Sequence, residues 1–263
     1  MTHKSLYIFL CSMVLLMSGC GKQRTAVTAA GSTAFQPFAE SLAEKFMETH
    51  PEIAVTIQGG GSALGIQAAL SGAAQIGMAD IVDLPPEAKV LKSVVVARDG
   101  IAVVVNNANP VKDLTEAQIR DVFSGKIRNW KELGGVDHAI TVVSREAGSG
   151  TRSSFEQLLK GFVLTKDAII QDSNGTIRET VVMDQNSIGY LSHGLLNDKL
   201  KALTVNGVAC TTEEVLAGRY TIVRPVYLFT KGDASPACQA FIDYVCSAEG
   251  QKMIHDSGLI PAK

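Results

Sequence analysis

Residues 26–46 read AVTAAGSTAFQPFAESLAEKF, which is an apolar run, then a turn of small residues, then an amphipathic segment. The run 26–30 predicts a buried strand, and the apolar residues from Phe35 to Phe46 recur at helical spacing. A strand that passes through a glycine-containing turn into a helix is the repeating unit of α/β proteins. This segment therefore predicts an α/β fold.

The same unit recurs twice further along the chain. An alternating strand at 53–58 runs into the turn 59–62 (GGGS) and a helix over 63–71. A strand at 139–144 runs into 145–151 (REAGSGT) and another helix. Strands that alternate with helices favour largely parallel sheets. Further predicted elements are strands at 74–79 and 187–191 and one last helix over 236–257.

Two extended segments cross the middle of the predicted molecule. Apolar runs at 93–97 and 101–105 predict strands covered on both faces, and 222–230 is an extended run interrupted by Pro225. One crossing out and one crossing back predict two lobes joined by two extended hinge segments, which can close around a ligand. We expect lobe 1 to comprise residues 26–104 and 226–263, and lobe 2 to comprise residues 105–225.

The composition indicates a large apolar core and a near-neutral charge. Of 263 residues, 46% are apolar and 19% are charged, and the formal net charge is −2. Proteins that bind nucleic acid normally carry a basic excess, so this balance argues against such a partner. We also find no cysteine or histidine spacing typical of a metal site, and we expect no cofactor.

The N-terminus resembles a bacterial lipoprotein signal. Lys4 precedes a short apolar run at 6–17, and small residues then lead to Cys20. We therefore expect removal of a signal peptide over 1–19, lipidation of Cys20 and a short tether at 20–25. The alternative is an ordinary cleavage site with an incidental cysteine. In either case we expect an exported chain, with no second apolar run long enough to span a bilayer.

Three cysteines follow Cys20, namely Cys210, Cys238 and Cys246, so at most one internal disulfide is available. Cys238 and Cys246 are eight residues apart in a predicted helix, which separates them by about 12 Å along its axis. That distance is too long for a disulfide. A pair of Cys210 with either of the other two stays open.

Each of the three strand–turn–helix units carries a turn suited to an anion: 31–34 (GSTA), 61–62 (GS) and 149–151 (SGT). The first amides of a helix lack partners within the helix, and the helix dipole places partial positive charge there. Small residues let an anion approach these amides, and hydroxyls add donors. For one such turn, helix capping is the simpler interpretation; three copies favour an anion site.

Two charged residues sharpen this prediction. Arg145 follows a predicted strand four residues before Ser149, where its guanidinium can grip two anion oxygens; the alternative is a surface salt bridge with Glu146. Asp80 follows the strand at 74–79, at the strand end where α/β proteins bind ligands. A carboxylate beside an anion is repulsive unless the anion carries a proton, so Asp80 predicts selection of phosphate over sulfate. The alternative for Asp80 is a turn or helix cap.

The chain resembles the phosphate-binding proteins of bacterial phosphate ABC uptake systems, which are periplasmic-type substrate-binding proteins. The resemblance covers essentially the whole chain after the signal. It rests on 30–33 (AGST), 60–62 (GGS), 76–80 (IGMAD), 119–127 (IRDVFSGKI) with Asn129 and Trp130, 145–151 (REAGSGT) and 224–227 (RPVY).

The resemblance implies the type II periplasmic-binding-protein-like fold, with two mixed, mostly parallel sheets flanked by helices. It also implies a dehydrated phosphate held between the lobes, with Asp80 accepting the phosphate proton. The implied ligands are Thr33, the Ala34 amide and Ser62 from lobe 1, and Arg145, Ser149, the Gly150 amide and Thr151 from lobe 2. Expected partners are inorganic phosphate, an ABC permease with its ATPase, and the membrane surface through lipid on Cys20. We expect a monomer.

Other functions have weaker support in the sequence. An enzyme is disfavoured because no lysine of a nucleotide-binding loop follows a glycine turn, no Gly-x-Ser-x-Gly elbow occurs, and the histidines are scattered. A receptor for sulfate, molybdate or a phosphonate is an alternative that Asp80 argues against. A lipoprotein that senses phosphate without transporting it is a further alternative, because its site would be the same.

Overall fold

The computed structural model describes residues 24–262. The predicted signal peptide at 1–19 and the lipidation site Cys20 lie outside these residues. The fold is α/β, with a mixed sheet flanked by helices, as the sequence predicted. Within the described part, no helix combines the length and apolar character needed to cross a membrane.

The elements follow the predicted alternation of strands and helices. The strands are β1 (Thr25–Gly31), β2 (Ile53–Gln58), β3 (Ile76–Ala79), β4 (Lys92–Asn106), β5 (Asp113–Leu114), β6 (Thr141–Arg145), β7 (Ile169–Gln171), β8 (Ser187–Ser192), β9 (Leu200–Ala202), β10 (Thr204–Val205), β11 (Val223–Thr230) and β12 (Ile260–Pro261). The α-helices are α1 (Gln36–Thr49), α2 (Ser62–Ser71), α3 (Glu116–Phe123), α4 (Gly150–Leu158), α5 (Asn174–Met183), α6 (Thr212–Leu216), α7 (Pro236–Cys246) and α8 (Ala248–Asp256).

The sheet runs in the order β2-β1-β3-β11-β4-β8-β6-β7. β1 pairs in parallel with β2 and β3, and β6 pairs in parallel with β8 and β7. Between these outer groups, β4 pairs antiparallel with both β11 and β8. The two predicted runs at 93–97 and 101–105 are a single strand, β4, which belongs to both halves of the sheet.

The buried apolar residues form two main cores. One gathers side chains from Val27 to Ala97 and from Val226 to Leu259, and the other gathers Ile101 to Ile222 together with Ile260. The chain passes between them along β4 and β11. This arrangement fits two lobes with two crossings, while the exact lobe boundaries at 104/105 and 225/226 stay a prediction.

Two features of the fold differ from the sequence prediction. The predicted last helix is two helices, α7 and α8, because Ser247 has an extended ψ of 166° and its hydroxyl accepts the Gly250 amide, which caps α8. Helix α5, capped by Ser173, was not predicted.

The structure also answers the open question about a disulfide. Cys210 and Cys238 are buried free thiols, so Cys210 pairs with neither of the other two cysteines.

Candidate anion-binding site

The first turn links β1 to α1 and holds Thr33 and Ala34. Gly31 adopts φ +139° and lies against the Met78 carbonyl, where a side chain would overlap the backbone of the neighbouring strand. The buried Ser32 hydroxyl accepts the Phe35 amide at 3.0 Å, which fixes the turn. Ala34 is buried under this turn. The sequence GST thus bends sharply at the carboxyl end of β1 and presents Thr33 to the other lobe.

The second turn brings Ser62 to Asp80. Ser62 begins α2, and its Oγ donates to Asp80 Oδ1 at 2.7 Å while accepting the Asp80 amide at 3.1 Å. Asp80 directly follows β3, and β3 pairs in parallel with β1. Parallel neighbours end at the same sheet edge, so the first two turns and Asp80 lie together. Both Ser62 and Asp80 are 2% exposed.

Arg145 is the last residue of β6 and is 1% exposed. Its Nε and Nη2 each donate to the Glu146 carboxylate at 2.8 Å, and Nη2 also donates to Thr33 Oγ1 at 3.1 Å. The pair with Glu146 that was the alternative interpretation is therefore present. The guanidinium is nevertheless buried and reaches across to the first turn, which a surface salt bridge would not do.

The third turn begins α4. Ser149 is its N-cap and accepts the Arg152 amide at 3.2 Å, while Thr151 is buried beside Asn174, whose Nδ2 donates to Thr151 Oγ1 at 3.4 Å. Arg152 bonds away from the turn, to the Arg145 carbonyl and to Glu156. Arg152 therefore ties the first turn of α4 to the end of β6.

The third turn contacts the second across the lobes. A Cβ at Gly150 would overlap Ser62 Oγ and would lie 2.6 Å from the Asp80 carbonyl oxygen and 2.9 Å from its Oδ1. The Ala63 amide donates to the Gly148 carbonyl at 3.2 Å. The structure thus brings together six of the sequence-predicted ligands, namely Thr33, Ser62, Asp80, Arg145, Ser149 and Gly150. Ala34 and Thr151 are buried next to Thr33 and Gly150 in the chain.

Two buried polar atoms at this junction have no hydrogen-bond partner: Asp80 Oδ2 and Arg145 Nη1. Arg224 Nη2 lies 2.6 Å from Asp80 Oδ2, but the donor is not aligned for a hydrogen bond. Buried polar groups nearly always have hydrogen-bond partners, so an acceptor and a donor that lack them indicate a ligand that both donates and accepts.

Charged residues that the sequence analysis did not assign to the site lie directly behind it. Arg224 on β11 is fully buried and is paired with Asp99 on β4 at 2.8 Å as well as lying against Asp80. The available signal was Arg224 inside the run 222–230 and Asp99 between the apolar runs 93–97 and 101–105. Both segments are otherwise largely apolar, and a buried strand rarely carries a charge without a partner.

A cleft of about 240 Å³ opens beside the junction and is lined partly by Ser62, Ser149 and Gly150. At its edge, Gln157 Nε2 donates to Asp83 Oδ2 at 2.5 Å, which joins α4 to the loop after β3. Among residues 24–262, no cluster of histidine, cysteine or carboxylate side chains could hold a metal ion.

Comparison with known proteins gives a consistent family assignment. Residues 18–249 match the family model described as the PBP superfamily domain. The chain is 38% identical over 245 residues to the phosphate-binding protein PstS of Bacillus subtilis, covering 91% of this chain and 82% of that protein.

Solved structures agree with this match. A phosphate ABC transporter substrate-binding protein from Clostridium perfringens, with bound phosphate, superposes with a TM-score of 0.89 at 41% identity, covering 91% of this chain and 100% of that one. An ABC-type phosphate transport receptor from Vibrio cholerae superposes with a TM-score of 0.75 at 34% identity, covering 89% and 99%.

Proposed function

Because this chain belongs to the PBP superfamily, and within it to the phosphate-binding proteins of ABC transporters, we propose that it binds inorganic phosphate between its lobes and delivers it to a membrane permease with its ATPase. Two buried atoms without a hydrogen-bond partner, Asp80 Oδ2 (which has only its ion pair with Arg224) and Arg145 Nη1, are the observation that carries this proposal. Phosphate at neutral pH keeps at least one proton, so it can donate to the carboxylate while accepting from the guanidinium.

The remaining ligands supply neutral hydrogen-bond donors. Helices α1, α2 and α4 begin at the three turns, where first-turn amides and the Thr33 and Ser149 hydroxyls can donate to an anion, while the Ser62 Oγ is positioned by its bond to Asp80. We assign the phosphate contacts to Thr33, the Ala34 amide, Ser62, Asp80, Arg145, Ser149, the Gly150 amide and Thr151.

The site selects its anion without a surplus of positive side chains. The guanidiniums of Arg145 and Arg224 face the carboxylates of Asp80, Asp99 and Glu146. Directed donors and helix N-termini, not net charge, therefore hold the anion. A fully ionised anion such as sulfate leaves its oxygen facing Asp80 Oδ2 with no hydrogen between them, which is costly in a buried site.

The role is proposed as binding and delivery, not catalysis. The named relatives are binding proteins and transport receptors. In this role Asp80 Oδ2 accepts a hydrogen bond from the phosphate and Arg145 Nη1 donates one to it. The phosphate is then released chemically unchanged.

We further propose that the protein is exported and held at the membrane surface by lipid on Cys20, and that it acts as a monomer. The small residues before Cys20 and the apolar run at 6–17 support the export and the lipid anchor. Replacement of Cys20 by Ser should release the protein from the membrane fraction into the soluble one. A Cys20→Ser variant that stays with the membrane would overturn the anchor.

Calorimetric titration of the purified protein with phosphate, sulfate and molybdate tests the function. We expect phosphate to bind and sulfate to bind weaker by about three orders of magnitude or more, since a buried group left unpaired gives discrimination of that size. Equal affinity for phosphate and sulfate, or no heat with phosphate, would overturn the proposal.

A further inference from the structure

The fully buried guanidinium of Arg224 lies against two buried carboxylates, those of Asp99 and Asp80, directly behind the site. Arg224 on β11 is the register partner of Asp99 on β4, so the pair lies across the two crossing strands. Arg224 Nε and Nη2 donate to Asp99 Oδ2 at 3.2 and 2.8 Å. Arg224 Nη1 donates to the Asp80 carbonyl at 3.3 Å, and Nη2 lies 2.6 Å from Asp80 Oδ2.

Arg224 is the cation that lies within ion-pair distance of Asp80 in the described part of the chain. Arg145, the other buried cation, forms a two-bond pair with Glu146 instead. A buried carboxylate needs a counter-charge or hydrogen-bond donors, because it has lost its hydration. Without Arg224, the Asp80 carboxylate would lose the cation that holds Oδ2 in place as an acceptor facing the anion.

The position of Arg224 is fixed from both lobes. Asp99 Oδ1 accepts the Ser192 hydroxyl at 2.8 Å, and the Ser192 amide donates to Asn174 Oδ1 at 3.0 Å. Asn174 in turn donates to Thr151 of the third turn. The guanidinium is therefore held in place by a buried chain of hydrogen bonds that starts at one half of the site and ends at the other.

We infer that Arg224 is a positioning residue that sets anion specificity: it holds the Asp80 carboxylate in place, with Oδ2 available as an acceptor, and so enforces the choice of a protonated oxyanion. The inference rests on the proposed phosphate function. It assigns the selectivity to a residue of a crossing strand that does not touch the anion.

The test removes the cation without stranding its other partner. In D99N, Arg224 keeps Asp80 as its one carboxylate partner, the oxygen of the introduced amide can accept from the guanidinium, and the amide nitrogen can donate to Ser192 Oγ. Burial raises the pKa of Asp99 above its ordinary value, so an uncharged replacement there is tolerable. In D99N/R224M the cation is also lost, and a Met side chain fills the space. Comparing these two variants isolates the effect of Arg224 on Asp80.

Calorimetry with phosphate and sulfate, together with thermal unfolding, gives the readouts. We expect D99N to keep the parental ratio of sulfate to phosphate dissociation constants. We expect D99N/R224M to lower that ratio by about tenfold or more, because Asp80 Oδ2 is no longer held in place as the acceptor that rejects an anion without a proton. Adding Asp80→Asn should lower the ratio in D99N and leave it nearly unchanged in D99N/R224M.

The inference is overturned if D99N/R224M folds and keeps the ratio of D99N, or weakens both anions equally, as a purely structural role would do. If that variant does not fold, R224K and R224Q decide: retention of the ratio in R224K and its loss in R224Q supports the inference, and equal ratios contradict it. If the parent protein does not bind phosphate, the proposed function itself is wrong.

Discussion

Gly150 of the third turn lies so close to Ser62 of the second that a Cβ added at Gly150 would overlap the Ser62 hydroxyl oxygen. The neighbouring atoms are the Asp80 carbonyl oxygen and Oδ1. The Gly150 backbone of one lobe therefore lies directly against Ser62 and Asp80 of the other, and this close approach depends on the absence of a side chain at Gly150.

Gly150→Ala should weaken phosphate binding by about tenfold to a hundredfold, since overpacking a tight contact typically costs 1–3 kcal/mol. Gly150 opens α4, where Ala is a better helix former, so the variant should fold normally. Gly148→Ala is the matched control, because its Cβ would meet only Ala63 Cβ at 3.8 Å. Calorimetry on both variants checks this; equal losses would contradict a contact specific to Gly150.

Asp80→Asn should relax the rejection of sulfate more than it weakens phosphate. The Asn amide can donate to an anion oxygen that carries no proton, and its side-chain oxygen can still accept the Ser62 hydroxyl. We expect the ratio of sulfate to phosphate dissociation constants to fall by about two orders of magnitude. Asp233→Asn, at an exposed carboxylate paired with Lys92, controls for the change in net charge. If Asp80→Asn keeps the parental ratio of sulfate to phosphate dissociation constants, Asp80 is not the acceptor of the phosphate proton.

The parts of the site that the sequence predicted are those encoded locally. A glycine and a hydroxyl after an apolar run determine a turn and a helix start within a few residues, as in 31–34 and 149–151. Asp80 was assigned because it directly follows a strand, and parallel strands end at one edge. Such signals need no knowledge of distant residues.

The parts that were missed depend on long-range contacts or on a single capping residue. Arg224 and Asp99 are 125 residues apart and meet only because β11 and β4 pair. The periodicity of 236–257 continues across Ser247, so the break appears only when that hydroxyl caps α8. The apolar pattern of α5 is weak, and its start is set by Ser173, which a composition-based interpretation passes over.

Arg145→Ala should cost about 2–5 kcal/mol of phosphate binding, since truncating one partner of a buried charge pair leaves the other unpaired. The loss removes the donor Nη1 and leaves the Glu146 carboxylate beside the anion without its partner. Arg178→Ala, on an exposed face of α5 beside Glu179, is the control. Phosphate affinity in Arg145→Ala equal to that of the control would show that Arg145 does not contact the anion.

The stability of the protein should fall steeply as the pH rises from about 10 to 12, the window set by the Tyr190 shift. Burial raises the pKa of Tyr190 to about 12, from an ordinary value of 10.0. The folded state therefore keeps a proton that the unfolded chain releases, and stability present below pH 10 is lost as the pH rises. Two pKa units correspond to about 3 kcal/mol at most.

Tyr190→Phe keeps the ring that stacks on Phe155 and removes the titrating hydroxyl. At pH 8 this variant should be less stable by about 1 kcal/mol, because Ser144 and the Arg145 amide lose a hydrogen-bond partner. Its further loss between pH 9 and 11 should be smaller than that of the parent. Urea unfolding at pH 8, 9 and 11 measures the free energy of unfolding of the variant and of the parent. An equal loss of that free energy between pH 9 and 11 in the two proteins would contradict the assignment to Tyr190.

The bond between Gln157 and Asp83 joins the lobes at the edge of the cleft without entering the proposed anion site. Gln157→Ala should speed phosphate release by about two- to tenfold, since one exposed hydrogen bond contributes about 0.5–1.5 kcal/mol. The association rate and the preference for phosphate over sulfate should stay unchanged, because the anion contacts are intact. Gln239→Ala is the matched control, as Gln239 makes a similar bond to Asp243 within α7. Stopped-flow displacement of bound phosphate measures the release rate, and equal rates in the two variants would show that the Gln157 bond does not hold the lobes closed.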